Sequence, residues 1–400
     1  MNTTPDLQCD LEYMVDIRRR LHQCPEVGFE LPETAALVGA ELEKLGLTYT
    51  TKYCKSSLVT EFGDPESRFT IALRADMDAL NITELNDIPY KSQHEGKMHA
   101  CGHDSHTAML LGAVKALLEY NRKHPLFCRV KAVFQPSEEG MATGARIMTE
   151  NDVMDHVDFI IGQHVNPGLP VGKCAISEGP IYASNNVFTI DITGKSAHAS
   201  QPKSGIDAVW MASDLYMRIR RFLSESFTPE EKQVLNVGMI QGGTAVNIVP
   251  SDCRLTCTLR TYSTAVVEKV MNGIEKLSDE ITAQYGGSIR ITQVKELPPV
   301  YNDHDITEFL RGVLTDVLGA ENVSEMKPSM GSEDFAWYLT KRPGAYYKVG
   351  CRDPKAERAT EVHTNTFNID ERAMLTGATI LAEAAAKYDR QVKNGGRLPV

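Results

Sequence analysis

The chain has 400 residues, 42% hydrophobic and 24% charged, a globular composition with material for two domains. Its 53 acidic against 42 basic side chains give a formal net charge of −11, which argues against a broad surface for nucleic acid or anionic membrane. Residues 1–11 lack the basic and apolar regions of a leader, no apolar run approaches the ~20 residues of a spanning helix, and nine scattered cysteines keep no disulfide rhythm, so a cytoplasmic setting is expected.

Apolar side chains at Leu7, Leu11, Met14, Val15, Ile17 and Leu21 keep near-helical spacing over 7–22, and Pro25 ends that run. Pro32 and Gly46 bracket a second helix over 34–45. β-type runs follow at 57–62 and 69–74, the second leading into Asp76 and Asp78. Next come a helix over 105–120 with Asp104 as its N-cap, a strand over 129–135 ending at Pro136, and a helix over 142–150. A strand over 158–163 then delivers His164. This alternation predicts an α/β domain with a mostly parallel central sheet flanked by helices.

Near residue 183 the character changes. A strand over 186–193, a helix over 207–222, strands over 234–241 and 253–261 joined through Gly242-Gly243, a helix over 265–285 and a strand over 288–294 follow in turn. That β-α-β-β-α-β order predicts a ferredoxin-like α+β unit. The expected organisation is a discontinuous α/β domain, 1–183 and 297–400, with the second unit inserted over 184–296. Helices over 306–318 and 371–388 resume the first domain, and the tail over 392–400 is expected to fray. Neither a repeat nor a low-complexity segment interrupts the chain.

The densest chemistry lies in Met98-His99-Ala100-Cys101-Gly102-His103-Asp104-Ser105-His106. Cys101 and His103, two apart in a turn, can face one ion, and a thiolate with an imidazole suits zinc, cobalt or manganese. A buried free cysteine beside a capping histidine is the alternative. His99 and His106 read as supporting residues. Glu138 and Glu139 follow a buried strand, where one carboxylate can bind metal while its neighbour takes a proton; an exposed acidic turn fits the same residues. His164, His363, and the pair Asp76 and Asp78 on one face each have a structural reading too. Taken together, separate strand ends deliver Asp, Cys, His, Glu and His, as a dinuclear cluster on a parallel sheet requires.

Four segments carry a specific resemblance: Arg74-Ala75-Asp76-Met77-Asp78-Ala79-Leu80, His99-Ala100-Cys101-Gly102-His103-Asp104, Phe134-Gln135-Pro136-Ser137-Glu138-Glu139-Gly140 and Gly331-Ser332-Glu333-Asp334-Phe335. In that order they resemble the amidohydrolases related to hippurate hydrolase, bacterial aminoacylases and plant auxin-conjugate hydrolases, a branch of the aminoacylase/carboxypeptidase metallopeptidase superfamily. The likeness runs from about Ile17 to Ala384.

The resemblance implies two divalent metal ions per subunit, zinc, manganese, cobalt or nickel, held by Cys101, His103, Glu139, His164 and His363. Cys101 would bridge them, in place of an aspartate found in the wider superfamily. Glu138 would be the general base, with Asp78 and Asp76 supporting the metal shell. The inserted unit would be a lid through which members dimerise. Within it His198, in Gly194-Lys195-Ser196-Ala197-His198-Ala199, would reach a neighbouring subunit's site and polarise the scissile carbonyl, and Asn247 and Arg260 would hold the substrate carboxylate. Asn81 stands where the family usually has proline, beside the Asp78 loop.

The implied activity is hydrolysis of an N-acyl amino acid, a small-molecule substrate, by a cytoplasmic homodimer that needs neither nucleic acid nor membrane. A dipeptidase or carboxypeptidase with the same dinuclear site is the alternative enzyme. A metal-stabilised binding or sensor protein is the non-enzymatic one, against which the Glu138-Glu139 pair speaks, because a structural site has closed coordination and no spare base.

Overall fold

A computed structural model describes Thr4 and residues 7–356 and 360–396. The end of the expected frayed tail, residues 397–400, lies outside the described residues. The chain divides into two compact units: Met1–Gly179 with Tyr301–Lys327 and Asp334–Val400, and Pro180–Val300 with Pro328–Glu333.

The first unit is built on a seven-stranded sheet. Its spatial order is Leu58–Gly63, Arg129–Gln135, Thr70–Asp76, Phe159–Pro170, Gly344–Arg352, Cys174–Ala175 and Val323–Ser324. The four long strands from Arg129–Gln135 to Gly344–Arg352 run parallel, while Leu58–Gly63 pairs antiparallel at one edge. Such strands are covered on both faces and read as continuous apolar runs, and Thr70–Asp76 is buried along its whole length. The Gly344–Arg352 strand was missed in the sequence. Pro343, Pro354 and the β-rich run between them are its signal.

The helix that opens the candidate site spans His103–Lys123 and is buried nearly all round. Its N-cap is Gly102 rather than the expected Asp104. Gly102 adopts φ 89°, a conformation few side chains tolerate, and so the chain turns into the helix before Asp104 is reached. Asp104 is thereby released to bind Arg18 and His22. Two further boundaries differ. The strand carrying His164 continues to Pro170, because parallel pairing with Gly344–Arg352 extends past it, so His164 lies within the strand rather than at its end. The 69–74 run becomes Thr70–Asp76, with Asp76 still in the ladder opposite Gln135.

The second unit is a four-stranded antiparallel sheet in the order Ser288–Lys295, Asn186–Thr193, Asp252–Thr261 and Gln233–Gly242, with helices Ala208–Glu225 and Thr264–Tyr285. Asn186–Thr193 alternates buried and less buried side chains, the pattern of a sheet with one covered face. Phe188, Ile190, Leu255, Cys257, Leu215 and Ile274 form its core. No helix among the described residues is long and apolar enough to cross a membrane.

Candidate metal centre

Three neighbouring strand segments, the start of one helix and a separate loop supply the centre. Thr70–Asp76 continues into Asp78, Arg129–Gln135 continues into Glu138 and Glu139, and Phe159–Pro170 carries His164. Cys101 and His103 flank the left-handed Gly102 at the buried helix's start, and His363 comes from a separate loop. All five expected ligands converge. Cys101 Sγ lies 3.2 Å from His164 Nε2 and 3.3 Å from His363 Nε2, and His363 Nε2 lies 3.1 Å from a Glu139 oxygen. Two triads of potential donor atoms share the cysteine: Cys101 with His103 and His164, and Cys101 with Glu139 and His363.

Hydrogen bonds aim these side chains. His164 Nδ1 lies 2.7 Å from the Val165 carbonyl, which keeps the proton there and leaves the Nε2 lone pair facing Cys101. Asp78 accepts from the backbone N–H of Glu138 at 2.9 Å and of Glu139 at 3.1 Å, and its Oδ1 lies 3.4 Å from His103 Nδ1. Glu138 in turn accepts from the Asp334 N–H at 3.4 Å. Two of the chain's left-handed non-glycine residues among those described lie here: Ser137, just before Glu138, has φ 53°, and His363 has φ 62°. Such non-glycine conformations persist only where surrounding contacts over-determine them.

Asp76 and Asp78 do not share one task. Asp76 takes His106 Nδ1 at 2.6 Å and Arg74 Nη1 at 2.8 Å. His106 Nε2 accepts from the Val165 N–H at 3.0 Å, so both of its nitrogens are engaged and it braces the His164 strand. Arg74 also donates to Asp334 at 2.9 Å and to Gln135 at 2.8 Å. The Asp334 motif therefore meets the sheet as a carboxylate bracing a buried arginine.

The donors fit a divalent cation. His103 is buried without a well-formed hydrogen bond on either ring nitrogen: Nδ1 has Asp78 at 3.4 Å and Nε2 has Asp76 at 3.8 Å, an arrangement that costs free energy unless a closer partner takes them. Burial pushes the Cys101 thiol up to about 12, so its sulfur becomes a thiolate ligand where a cation replaces the proton. Burial, with Lys348 and His106 adding to it, holds His164 well below its ordinary value and so keeps it neutral, as a ligand must be. Burial works against the charge on Glu139, yet the hydrogen bond from His363 and the charge of His103 hold its carboxyl below the usual range. A set of sulfur, imidazole and carboxylate donors suits zinc, manganese, cobalt or nickel better than magnesium or calcium.

Within the second unit, His198 and Asn247 are brought together. The short strand Ala197–His198 pairs antiparallel with Ile248–Val249, and the Ala199 N–H donates to the Asn247 carbonyl at 3.0 Å. His198 is exposed, with Nδ1 2.7 Å from Ser200 Oγ. Arg260 is outside that ladder and donates to the Met330 carbonyl at 2.8 Å.

One group of residues went unnoticed in the sequence. Arg18 and His22 are buried and bind Asp104, the residue after His103, at 3.0 and 2.7 Å, and Glu84 lies 3.1 Å from His22. The signal was present. Met14, Ile17, Arg18, Leu21 and His22 form one i, i+3, i+4, i+7, i+8 stripe, and two polar members of an apolar stripe call for buried partners.

The family model for Peptidase family M20/M25/M40 matches residues 72–387. The chain is 37% identical to an IAA-amino acid hydrolase ILR1-like 4 of Arabidopsis thaliana, over 96% of this chain and 87% of that one. It is 34% identical to an N-acetyl-L-cysteine deacetylase of Bacillus subtilis, over 94% and 88% of the two chains. Among solved structures, the Bacillus subtilis YXEP protein, a dinuclear metal-binding peptidase from the M20 family, superposes with a TM-score of 0.80 at 31% identity, covering 94% of this chain and 98% of that one.

Proposed function

This chain belongs to peptidase family M20/M25/M40, and we propose that within it the protein hydrolyses the amide bond of N-acyl amino acids. The carrying observation is the pair of donor triads sharing Cys101 Sγ, with Glu138 beside them on a loop that Asp78 holds. Its similarity to an IAA-amino acid hydrolase and an N-acetyl-L-cysteine deacetylase supports an acylated amino acid as substrate.

Cys101, His103 and His164 would hold one divalent ion, and Cys101, Glu139 and His363 the other. Ions bound there supply Lewis-acid polarisation of the amide carbonyl and bring the pKa of water toward about 7. Glu138 takes the proton of the attacking water and returns it to the leaving amine, giving a carboxylate and a free amino acid. Asp78 fixes Glu138 and Glu139 through their backbone. Asp76 acts one step further out, through His106 and Arg74. In the inserted unit, His198 polarises the carbonyl of a substrate in the neighbouring subunit, and Asn247 and Arg260 choose substrates with a free α-carboxylate, for which a guanidinium fork is matched.

The reading includes a cytoplasmic homodimer formed through the inserted unit. Exposed Trp210, Met217, Met239 and Ile240 on that unit support such an interface.

The test is product analysis across acetyl-, benzoyl- and aminoacyl-amino acids at defined metal loading. Release of free amino acid from the acyl compounds is the expected result. Cleavage confined to the aminoacyl compounds would replace it with a dipeptidase. Chelation should abolish turnover while the fold persists by circular dichroism; metal binding with no turnover of any substrate would make the protein a binder.

A further inference from the structure

Arg18 is 99% removed from solvent, yet its guanidinium reaches four residues on three separate stretches of the first unit. Nε donates to Asp104 Oδ2 at 3.0 Å, on the residue that follows His103. Nη2 donates to Asn368 Oδ1 at 2.8 Å, and Nη1 donates to Glu371 at 3.1 Å and to the Tyr90 hydroxyl at 3.2 Å. Asn368 and Glu371 lie just beyond His363 in the same segment. That segment is also tied at its other end, where the His363 N–H donates to the Ala100 carbonyl at 2.7 Å.

Cys101 and His363 are 262 residues apart in sequence, and among the described residues no regular ladder joins their two segments. His363 is half exposed and adopts φ 62°, so its position depends on what clamps its loop. Arg18 is that clamp's rigid part. A planar fork fixes the direction of each bond, whereas an ammonium on a flexible stem fixes only a distance.

We infer that Arg18 is a positioning residue for the candidate centre, setting the distance between the Cys101–His103 turn and the His363 loop. It touches neither substrate nor donor atoms and acts through Asp104 and Asn368. The inference rests on the two-ion reading above. Its consequence is selective: the ion that depends on His363 loses its hold, while the one held by Cys101, His103 and His164 is largely spared.

The experiment is stepwise Co²⁺ titration of the full-length apo protein, followed by calorimetry and by the visible bands of bound cobalt, for the parent, Arg18→Lys and Asn368→Ala. Arg18→Lys keeps the charge and loses the fork. Asn368→Ala removes one arm at a half-buried site and carries the test if the buried substitution does not fold. Each should weaken one cobalt step by about 10- to 100-fold, the usual scale for a residue that orients a ligand, and leave the other within about threefold. Unchanged titrations for a folded variant, or an equal loss at both steps, would overturn the inference. A parent that takes up no cobalt would instead sink the two-ion reading itself.

Discussion

Asp78 and Glu138 are joined backbone to side chain: the Asp78 carboxylate accepts the Glu138 N–H at 2.9 Å and, through its other oxygen, the Glu139 N–H at 3.1 Å. The proposed base and one proposed ligand thus hang from a single buried carboxylate. Asp78→Ala should reduce kcat by about 10- to 100-fold in a protein that still folds. Steady-state kinetics with metal analysis checks this, and a near-parental kcat at full loading would remove Asp78 from the positioning role.

Glu138→Gln keeps the shape of the side chain and removes its basicity. Metal content should stay at the parental level while kcat falls by about 10²- to 10⁴-fold. Retention of normal turnover would place the proton transfer on another group.

His198 and Glu138 offer a test of action between subunits. Heterodimers of His198→Ala and Glu138→Gln protomers should regain activity that neither homodimer has, because one of the two sites then has both residues intact. Verified heterodimers with no recovery would confine His198 to its own chain.

Gly102 has φ 89°, and a Cβ built on it would lie 2.6 Å from Val165 Cγ2. Gly102→Ala must therefore strain the backbone and displace the side chain of Val165, the residue after His164. A loss of about 1–3 kcal/mol of stability is expected, read from chemical denaturation of the metal-free protein. A variant as stable as the parent would show that this turn can relax.

His22 sits buried between Asp104 and Glu84. Burial disfavours its charge, but the hydrogen bond and charge of Asp104, with Glu84, outweigh it and raise its pKa above 6.5. A raised folded pKa means that this contribution is complete below pH 6.5 and fades as pH rises through the folded value. Denaturation midpoints of the parent should fall relative to those of His22→Gln as pH increases through that window. Parallel curves would exclude the linkage.

Much of the architecture was legible because it is written in periodicity. The inserted unit showed as β-α-β-β-α-β, since its strands alternate and its helices carry one apolar face. The parallel sheet showed as apolar runs between helices, except for the two-residue strands Cys174–Ala175 and Val323–Ser324 and for Gly344–Arg352. That strand pairs deep in the sheet with Phe159–Pro170, a partner far away in sequence, and no nearby turn announces it. For the centre, residue types and spacing brought Cys101, His103, Glu138 and Glu139 forward, while His164 and His363 were ambiguous alone because one histidine says nothing of its neighbours. Asp104 was assigned by local rules to cap a helix, whereas long-range pairing with Arg18 and His22 claims it. The division between Asp76 and Asp78 was equally hidden. Their spacing of two residues is the same whether both face one ion or, as found, both approach His103 while Asp76 also binds His106 and Asp78 the Glu138 loop.

The Gly344–Arg352 strand lies inside the sheet, not at its edge, and it is the last long strand to be made. Until it emerges during synthesis, Phe159–Pro170 presents an open ladder on one side, and His363 has yet to follow. The candidate centre is therefore a late product of translation, assembled after the whole inserted unit has already been made. A nascent chain must keep a long apolar strand edge from pairing wrongly for more than 170 residues' worth of elongation, the interval from Pro170 to Gly344. At roughly 5–20 residues per second that exposure lasts on the order of ten to thirty seconds.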